Sequence, residues 1–112
     1  MRGKLSTHVL DTSRGRPAAG VKIELWSLAG SRRKLVKSIY TNVDGRTDAP
    51  VLAEPELRAG EYELVFFVGD YFHVDPPFLD RVPVRFRITD TQAAYHIPLL
   101  CSPWSYTTYR GS

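Results

Sequence analysis

The chain has 112 residues, with 15 lysines and arginines against 12 acidic residues, so its formal net charge is only +3. This length fits one domain, which we expect to span residues 1–112, and the ordinary balance of apolar and charged residues excludes a disordered, collagen-like or coiled-coil protein. The single cysteine, Cys101, excludes an internal disulfide framework and a cysteine-rich zinc module.

The cations are spread along the chain, apart from an Arg-Arg-Lys run at residues 32–34 that we place in a turn. A nucleic-acid-binding domain would more often carry a basic stripe with exposed aromatic residues, so we expect no nucleic-acid partner. No apolar run is long enough for a signal-peptide core or a membrane span. We therefore expect a cytoplasmic protein without a membrane partner, in which one or two cations attract a small anion.

Alternation of apolar and polar residues predicts short strands, with one short helix over residues 69–74. We expect strands of antiparallel type, arranged as an all-β sandwich. Pro83 and Pro98 cannot donate to a ladder, so each indicates an edge strand or a bulge. In chain order, the predicted strands cover residues 4–11, 21–26, 34–42, 61–68, 82–88, 94–100 and 104–110.

Two histidines stand out because their predicted strands turn them outward. Leu5 and Val9 occupy the apolar positions of the first strand, so His8 lies on its other face. His96 likewise alternates with Tyr95 and Ile97. Imidazole is the side chain best suited to proton transfer near neutral pH, so both histidines are candidate acids or bases.

The remaining candidates are a loop arginine and the C-terminal residues. Arg46 follows an Asp-Gly turn, which presents its guanidinium at a loop tip. The last residues supply a phenol, a guanidinium and a carboxylate from Tyr109, Arg110 and Ser112. We interpret His73 as a surface residue, and Cys101 as a small buried apolar residue, since no nucleophile signature surrounds it.

Three motifs resemble the 5-hydroxyisourate hydrolases, the transthyretin-related proteins of purine catabolism. Residues 5–11 read LSTHVLD and are followed by GRPA at residues 15–18, which looks like the opening motif of that family. Residues 41–46, TNVDGR, resemble its second motif. Residues 95–103, YHIPLLCSP, run into YTTYRGS at residues 106–112 and resemble its third. The terminal YRGS is the most specific element, because it distinguishes the hydrolases from the hormone carrier transthyretin.

The resemblance implies a prealbumin/transthyretin-like β-sandwich of two antiparallel sheets with one short helix. It also implies a homotetramer, built as a dimer of dimers, with active sites where two dimers meet. On the matching positions, the catalytic residues are His8, Arg46, His96 and Ser112. The substrate-binding residues are His8, Arg46, Tyr109, Arg110 and Gly111, and neither a cofactor nor a metal is implied.

The implied reaction is the hydrolysis of 5-hydroxyisourate to 2-oxo-4-hydroxy-4-carboxy-5-ureidoimidazoline, in which water opens the six-membered ring at the N1–C6 amide bond. Either His8 or His96 would serve as the base, and Arg46 would stabilise the anion. A non-catalytic carrier could use the same sandwich, although the polar set would suit apolar ligands poorly. A zinc site on His8 and His96 is a third reading, disfavoured by the nearby Arg46.

Overall fold

The computed structural model describes residues 3–112, which form nine strands and one helix. The strands follow the alternation in the sequence: in Lys4–Asp11, every second side chain from Leu5 onward is buried. The elements are β1 (Lys4–Asp11), β2 (Arg16–Pro17), β3 (Lys22–Ala29), β4 (Arg32–Tyr40), β5 (Leu52–Ala53), β6 (Gly60–Phe66), α1 (Val68–Phe72), β7 (Val82–Ile88), β8 (Ala94–Cys101) and β9 (Tyr106–Thr108).

The strands form the two-sheet sandwich that the sequence predicts. The first sheet has the order β2-β1-β8-β9, with β5 also paired to β1, and the second has the order β4-β3-β6-β7. Their facing sides bury the apolar core. Its largest fully buried side chains come from both sheets and the segments between them: Phe66, Leu5, Ile23, Leu25, Leu64, Ile88, Leu99, Val9, Val21, Val51, Val68 and Val82.

The expectation of purely antiparallel pairing is wrong at the centre of the first sheet. Strands β1 and β8 are parallel and in register from Lys4 opposite Ala94 to Asp11 opposite Cys101. Parallel neighbours need a long connection, and here the whole second sheet lies between them in the chain. The pairing sets Ser6 directly opposite His96.

The two prolines have different outcomes. Pro83 lies in β7, an edge strand, as expected. Pro98 lies in β8, an interior strand, so its assignment to an edge is wrong. The β8–β9 ladder nevertheless stops at Leu99, directly after this proline, and a single bridge between His96 and Gly111 follows beyond it. We attribute the gap to the amide hydrogen that proline lacks.

Several boundaries also differ from the prediction. Strand β6 ends at Phe66, and the helix begins at Val68 and ends at Phe72, with His73 as its exposed cap in the left-handed region. Strand β9 covers only Tyr106–Thr108, rather than residues 104–110. The basic run at residues 32–34 opens β4 and does not lie in a turn. It is exposed there, since β4 is an edge strand.

Candidate active site

The two candidate histidines lie on neighbouring strands and point away from the core, as the sequence predicts. His8 is half-buried between the buried residues Thr7 and Val9 of β1. His96 is half-buried between Tyr95 and Ile97 of β8, both of which are buried. The outer face of the first sheet therefore carries both imidazoles.

The ring of His96 is held by a neighbour on β1. Oγ of Ser6 lies 2.9 Å from Nδ1 of His96, in hydrogen-bond contact. Burial lowers the pKa of His96, and the positive charges of Arg46 and His8 lower it further. His8 and Arg46 therefore lie close enough to His96 for their charges to influence its protonation. At neutral pH, His96 is therefore a neutral imidazole.

The ring of His8 is held by the loop that carries Arg46. Its Nε2 lies 2.9 Å from the backbone oxygen of Asp44. A carbonyl oxygen only accepts, so Nε2 of His8 carries a hydrogen and donates it. Asp44 stands two positions before Arg46, so this contact ties the loop arginine to strand β1.

Asn42 organises the same loop from inside. Its Oδ1 accepts hydrogen bonds from the amides of Asp44 (2.9 Å) and Arg46 (3.2 Å), and its Nδ2 donates to Asp48 at 3.0 Å. Gly45 has a φ of 74°, and a Cβ there would collide with the carbonyl oxygen of Val9. The turn therefore needs both the asparagine and the glycine.

A shallow pocket of about 180 Å³ lies beside this group. Lys4, Ser6 and Arg46 line it together, and Lys4 also lowers the pKa of His96. The sequence reasoning missed Lys4, Ser6 and Asn42 as site residues. The signal for the first two was the alternation that singled out His8, because Lys4 and Ser6 share its face of β1.

The C-terminal residues reach the site through Gly111. Its amide donates to the carbonyl oxygen of His96 at 2.7 Å, which makes the bridge beyond Pro98. A Cβ on Gly111 would stand 2.6 Å from Cδ2 of the His96 ring, so only glycine fits without a shift. Ser112 follows directly and is exposed.

Arg110 is not brought to the histidines. Its guanidinium lies over the ring of Tyr95, 4.4 Å from the centroid, and Tyr95 faces away from His96 in β8. Tyr109 is 58% exposed and lines the same groove of about 160 Å³ as Arg110. The groove is bounded by β7 and β8: Val84, Phe86, Arg87, Tyr95, Ile97, Thr108, Tyr109 and Arg110.

The remaining candidates behave as surface or core residues. Cys101 is 1% exposed, and burial raises the pKa of its thiol to about 12, so it is a poor nucleophile. Within residues 3–112, no three His, Cys, Asp or Glu side chains are grouped as metal ligands. None of the helices in that same range has the length and apolar character to cross a membrane.

The fold and the outward-facing histidines define a transthyretin-like sandwich that carries a polar site on one sheet. The chain belongs to the HIUase/Transthyretin family, whose sequence profile matches residues 5–111. The 5-hydroxyisourate hydrolase of Deinococcus radiodurans is 54% identical, over 96% of this chain and 95% of its own length. That of Mus musculus is 41% identical, over 96% of this chain and 94% of its own length.

Solved structures agree on the fold. The 5-hydroxyisourate hydrolase of Klebsiella pneumoniae superposes with a TM-score of 0.83 at 33% identity, covering 98% of this chain and 99% of that one. Sea bream transthyretin, solved in complex with thyroxine, gives 0.87 at 26% identity, over 96% and 94%. An (S)-allantoin synthase gives 0.92 at 44% identity. It covers 99% of this chain, which spans only 44% of that longer protein.

Proposed function

We propose that this chain hydrolyses 5-hydroxyisourate to 2-oxo-4-hydroxy-4-carboxy-5-ureidoimidazoline, a step in urate degradation. The observation that carries the proposal is the grouping of His8, Arg46 and His96 beside a pocket that Arg46 lines, in a chain about half identical to hydrolases named for this substrate. The group combines a neutral imidazole with a permanently charged guanidinium, which is what hydrolysis of an anionic cyclic amide requires.

In this mechanism His96 is the general base. Its lowered pKa keeps the imidazole neutral at pH 7, so it can accept a proton from water. The water oxygen bonds to C6 of the substrate, and the C6–N1 bond breaks as N1 receives a proton. The products are a carboxylate at C6 and an N–H at N1.

The other residues bind and stabilise. Arg46 stabilises the oxyanion that forms on the carbonyl oxygen. His8 holds the water or supplies a proton, with its Nε2–H fixed by Asp44. Gly111 and the carboxylate of Ser112 close the side of the site next to His96, where Gly111 already lies. Tyr109 and Arg110 line the groove beside Tyr95, away from His96. They bind substrate only if residues 109–110 are re-oriented, or if they contribute to the active site of another subunit.

Replacing either histidine tests the assignment. His8→Asn and His96→Asn should each lower turnover by at least roughly a hundredfold if the residue transfers the proton. The assay follows the loss of hydroxyisourate absorbance after the substrate is formed in situ from urate. His73→Asn is the matched control, because His73 is exposed at the end of the helix. Near-normal rates for both site variants would contradict the mechanism.

We also propose a homotetramer, a dimer of dimers with active sites between the dimers. The pocket of about 180 Å³ is smaller than the roughly 300–1,000 Å³ typical of ligand sites, so a second subunit would complete it. Two edge strands, β7 and β9, lie together at one side of the sandwich and offer unpaired backbone groups. Sedimentation should give the mass of four chains, and a monomer that is fully active would contradict this.

A carrier remains the rival function, since sea bream transthyretin shares the fold and was solved with thyroxine. The polar group of His8, Arg46 and His96 favours the hydrolase. The same urate-coupled assay on purified protein decides between the two.

We further propose that residues 1–112 act as one domain, in the cytoplasm and without a metal. Activity that is unaffected by chelators, with no metal in the purified protein, is the expected result.

A further inference from the structure

Ser6 faces His96 across the two parallel strands and is the ring's side-chain partner within residues 3–112. The pair is in register, and Oγ lies 2.9 Å from Nδ1. Both residues are half-buried, so water competes less with this hydrogen bond than it would at an open surface. The contact therefore bears on which ring nitrogen of His96 holds the hydrogen.

A hydroxyl can donate or accept, whereas a neutral imidazole carries one hydrogen on one of its two nitrogens. If Ser6 donates to Nδ1, the hydrogen of the ring sits on Nε2, and that nitrogen cannot accept a proton. If Ser6 accepts from Nδ1, the lone pair lies on Nε2. Only the second arrangement leaves His96 a base at the nitrogen that Ser6 does not occupy.

Gly111 restricts the ring from its other side. It packs so closely on the imidazole that an added Cβ would stand 2.6 Å from Cδ2, the carbon bonded to Nε2. Its amide also holds the His96 backbone at 2.7 Å. The ring is therefore fixed at Nδ1 by a hydrogen bond and at Cδ2 by packing, so its Nε2 has a defined direction.

We propose that Ser6 is a positioning residue, which accepts a hydrogen bond from Nδ1 of His96 and so keeps the lone pair on Nε2 for the attacking water. The proposal rests on the proposed hydrolase function, in which His96 is the base. Ser6 also lines the neighbouring pocket, but in this role its hydroxyl acts on the ring of His96 and not on the water or the substrate. It acts by selecting one tautomer and one orientation of the ring.

The first test reads the tautomer directly. Nitrogen-15 NMR of histidine-labelled protein, at a pH where His96 is neutral, should find the His96 hydrogen on Nδ1 in the unmodified chain. Ser6→Ala should give a mixture of tautomers, and Ser6→Thr should restore the first one because it keeps the hydroxyl and suits a strand. Ser38→Ala, in exposed strand β4, is the matched control.

The second test is kinetic. Ser6→Ala should lower kcat about tenfold, the worth of one hydrogen bond of about 1.4 kcal/mol, and leave KM within about twofold. The acidic limb of the kcat profile should stay in place, because the backbone of Ser6, which raises the pKa of His96, is kept in this variant. Ser6→Thr should recover kcat.

The NMR and kinetic tests distinguish a failure of the proposed role of Ser6 from a failure of the proposed hydrolase function. Ser6→Ala protein with an unchanged His96 tautomer and an unchanged kcat would overturn the role of Ser6, and so would a hydrogen on Nε2 in the unmodified chain. Unmodified protein that does not hydrolyse hydroxyisourate would overturn the proposed function instead. Circular dichroism of each variant shows whether a loss of activity is due only to unfolding. If Ser6→Ala does not fold, kcat and KM are measured on Ser6→Thr instead.

Discussion

The imidazole of His8 donates from Nε2 to the backbone oxygen of Asp44 at 2.9 Å, and this one contact joins a strand histidine to the loop of Arg46. Because the oxygen can only accept, the hydrogen on Nε2 is fixed whether His8 is neutral or charged. The position of the arginine and the tautomer of the histidine are therefore set by the same turn. His96 is oriented separately, by Ser6 and Gly111.

Asn42→Ala should reduce kcat/KM about tenfold or more, because the turn loses two acceptor contacts worth about 1 kcal/mol each. Those contacts order the amides of Asp44 and Arg46, so both His8 and the guanidinium lose their positions. The urate-coupled assay measures the change. Gln92→Ala, at an exposed amide in another loop, should be neutral. Equal rates for the two variants would mean that the turn does not position the site.

Gly111→Ala and Gly30→Ala should have opposite effects. The new Cβ at position 111 meets the His96 ring, so activity should fall at least about tenfold, while the unfolding free energy changes by less than about 1 kcal/mol at this chain end. Gly30 has a φ of 63° in open space, so alanine there should cost about 1 kcal/mol of stability and keep activity. Urea unfolding measures the stability of each variant and the urate-coupled assay measures its activity. Gly111→Ala should lose only activity, and Gly30→Ala should lose only stability.

The acidic limb of the kcat profile should lie below pH 6.5, the ordinary pKa of histidine. Burial and the charges of Arg46, His8 and Lys4 lower the pKa of His96, and a base loses activity as the pH falls through its pKa. Lys4→Met removes one of those charges, so the limb should move to higher pH and KM for the anionic substrate should rise. Lys34→Met, exposed in β4, is the control. A limb that moves to lower pH in Lys4→Met would contradict the assignment.

Asp11 should make stability depend on pH at the acidic end. Burial raises the pKa of this carboxyl, but hydrogen bonds from Ser13, Tyr71 and Arg14 outweigh it and lower the pKa from 3.8 to about 2. A carboxyl with a lowered folded-state pKa stabilises fully above its unfolded value, and the effect disappears as the pH falls through the folded value. Asp11 therefore contributes about 2 kcal/mol near pH 7 and almost nothing below about pH 2.

Asp11→Asn tests this with urea unfolding at one protein concentration. The variant should be less stable by about 2 kcal/mol near neutral pH, and the difference should shrink as the pH falls from 3.8 toward 2. Asp70→Asn, an exposed carboxyl in the helix, should change stability by less than about 0.5 kcal/mol at any pH. A difference that is independent of pH would show that Asp11 acts through packing alone.

Alternation in the sequence was enough to predict the sandwich and the outward faces of His8 and His96. A strand buries one face, so the positions of Leu5 and Val9 predict that His8 points outward even when the partner strand is not known. The pattern does not determine which strands are neighbours. The parallel pairing of β1 with β8, and hence the contact of Ser6 with His96, therefore came only from the structure.

The C-terminal residues show a second limit. Within the terminal motif, Gly111 packs on the ring of His96, whereas Tyr109 and Arg110 line the groove beside Tyr95. Treating the motif as one group concealed this division, and Arg110 lies over Tyr95 on the face opposite His96. The resemblance implied a set of candidate site residues. It could not say which of them meet within one chain.

The parallel pairing of β1 with β8 also affects the order in which the strands pair during folding. Ser6 and His96 are 90 positions apart, so a chain leaving the ribosome has made almost every other strand before these two can touch. Closing so large a loop is slow compared with forming the β3–β4 hairpin, which needs only a short turn. Recovery of hydrolase activity during refolding should therefore lag behind the hairpin, and would report the final closure of the first sheet.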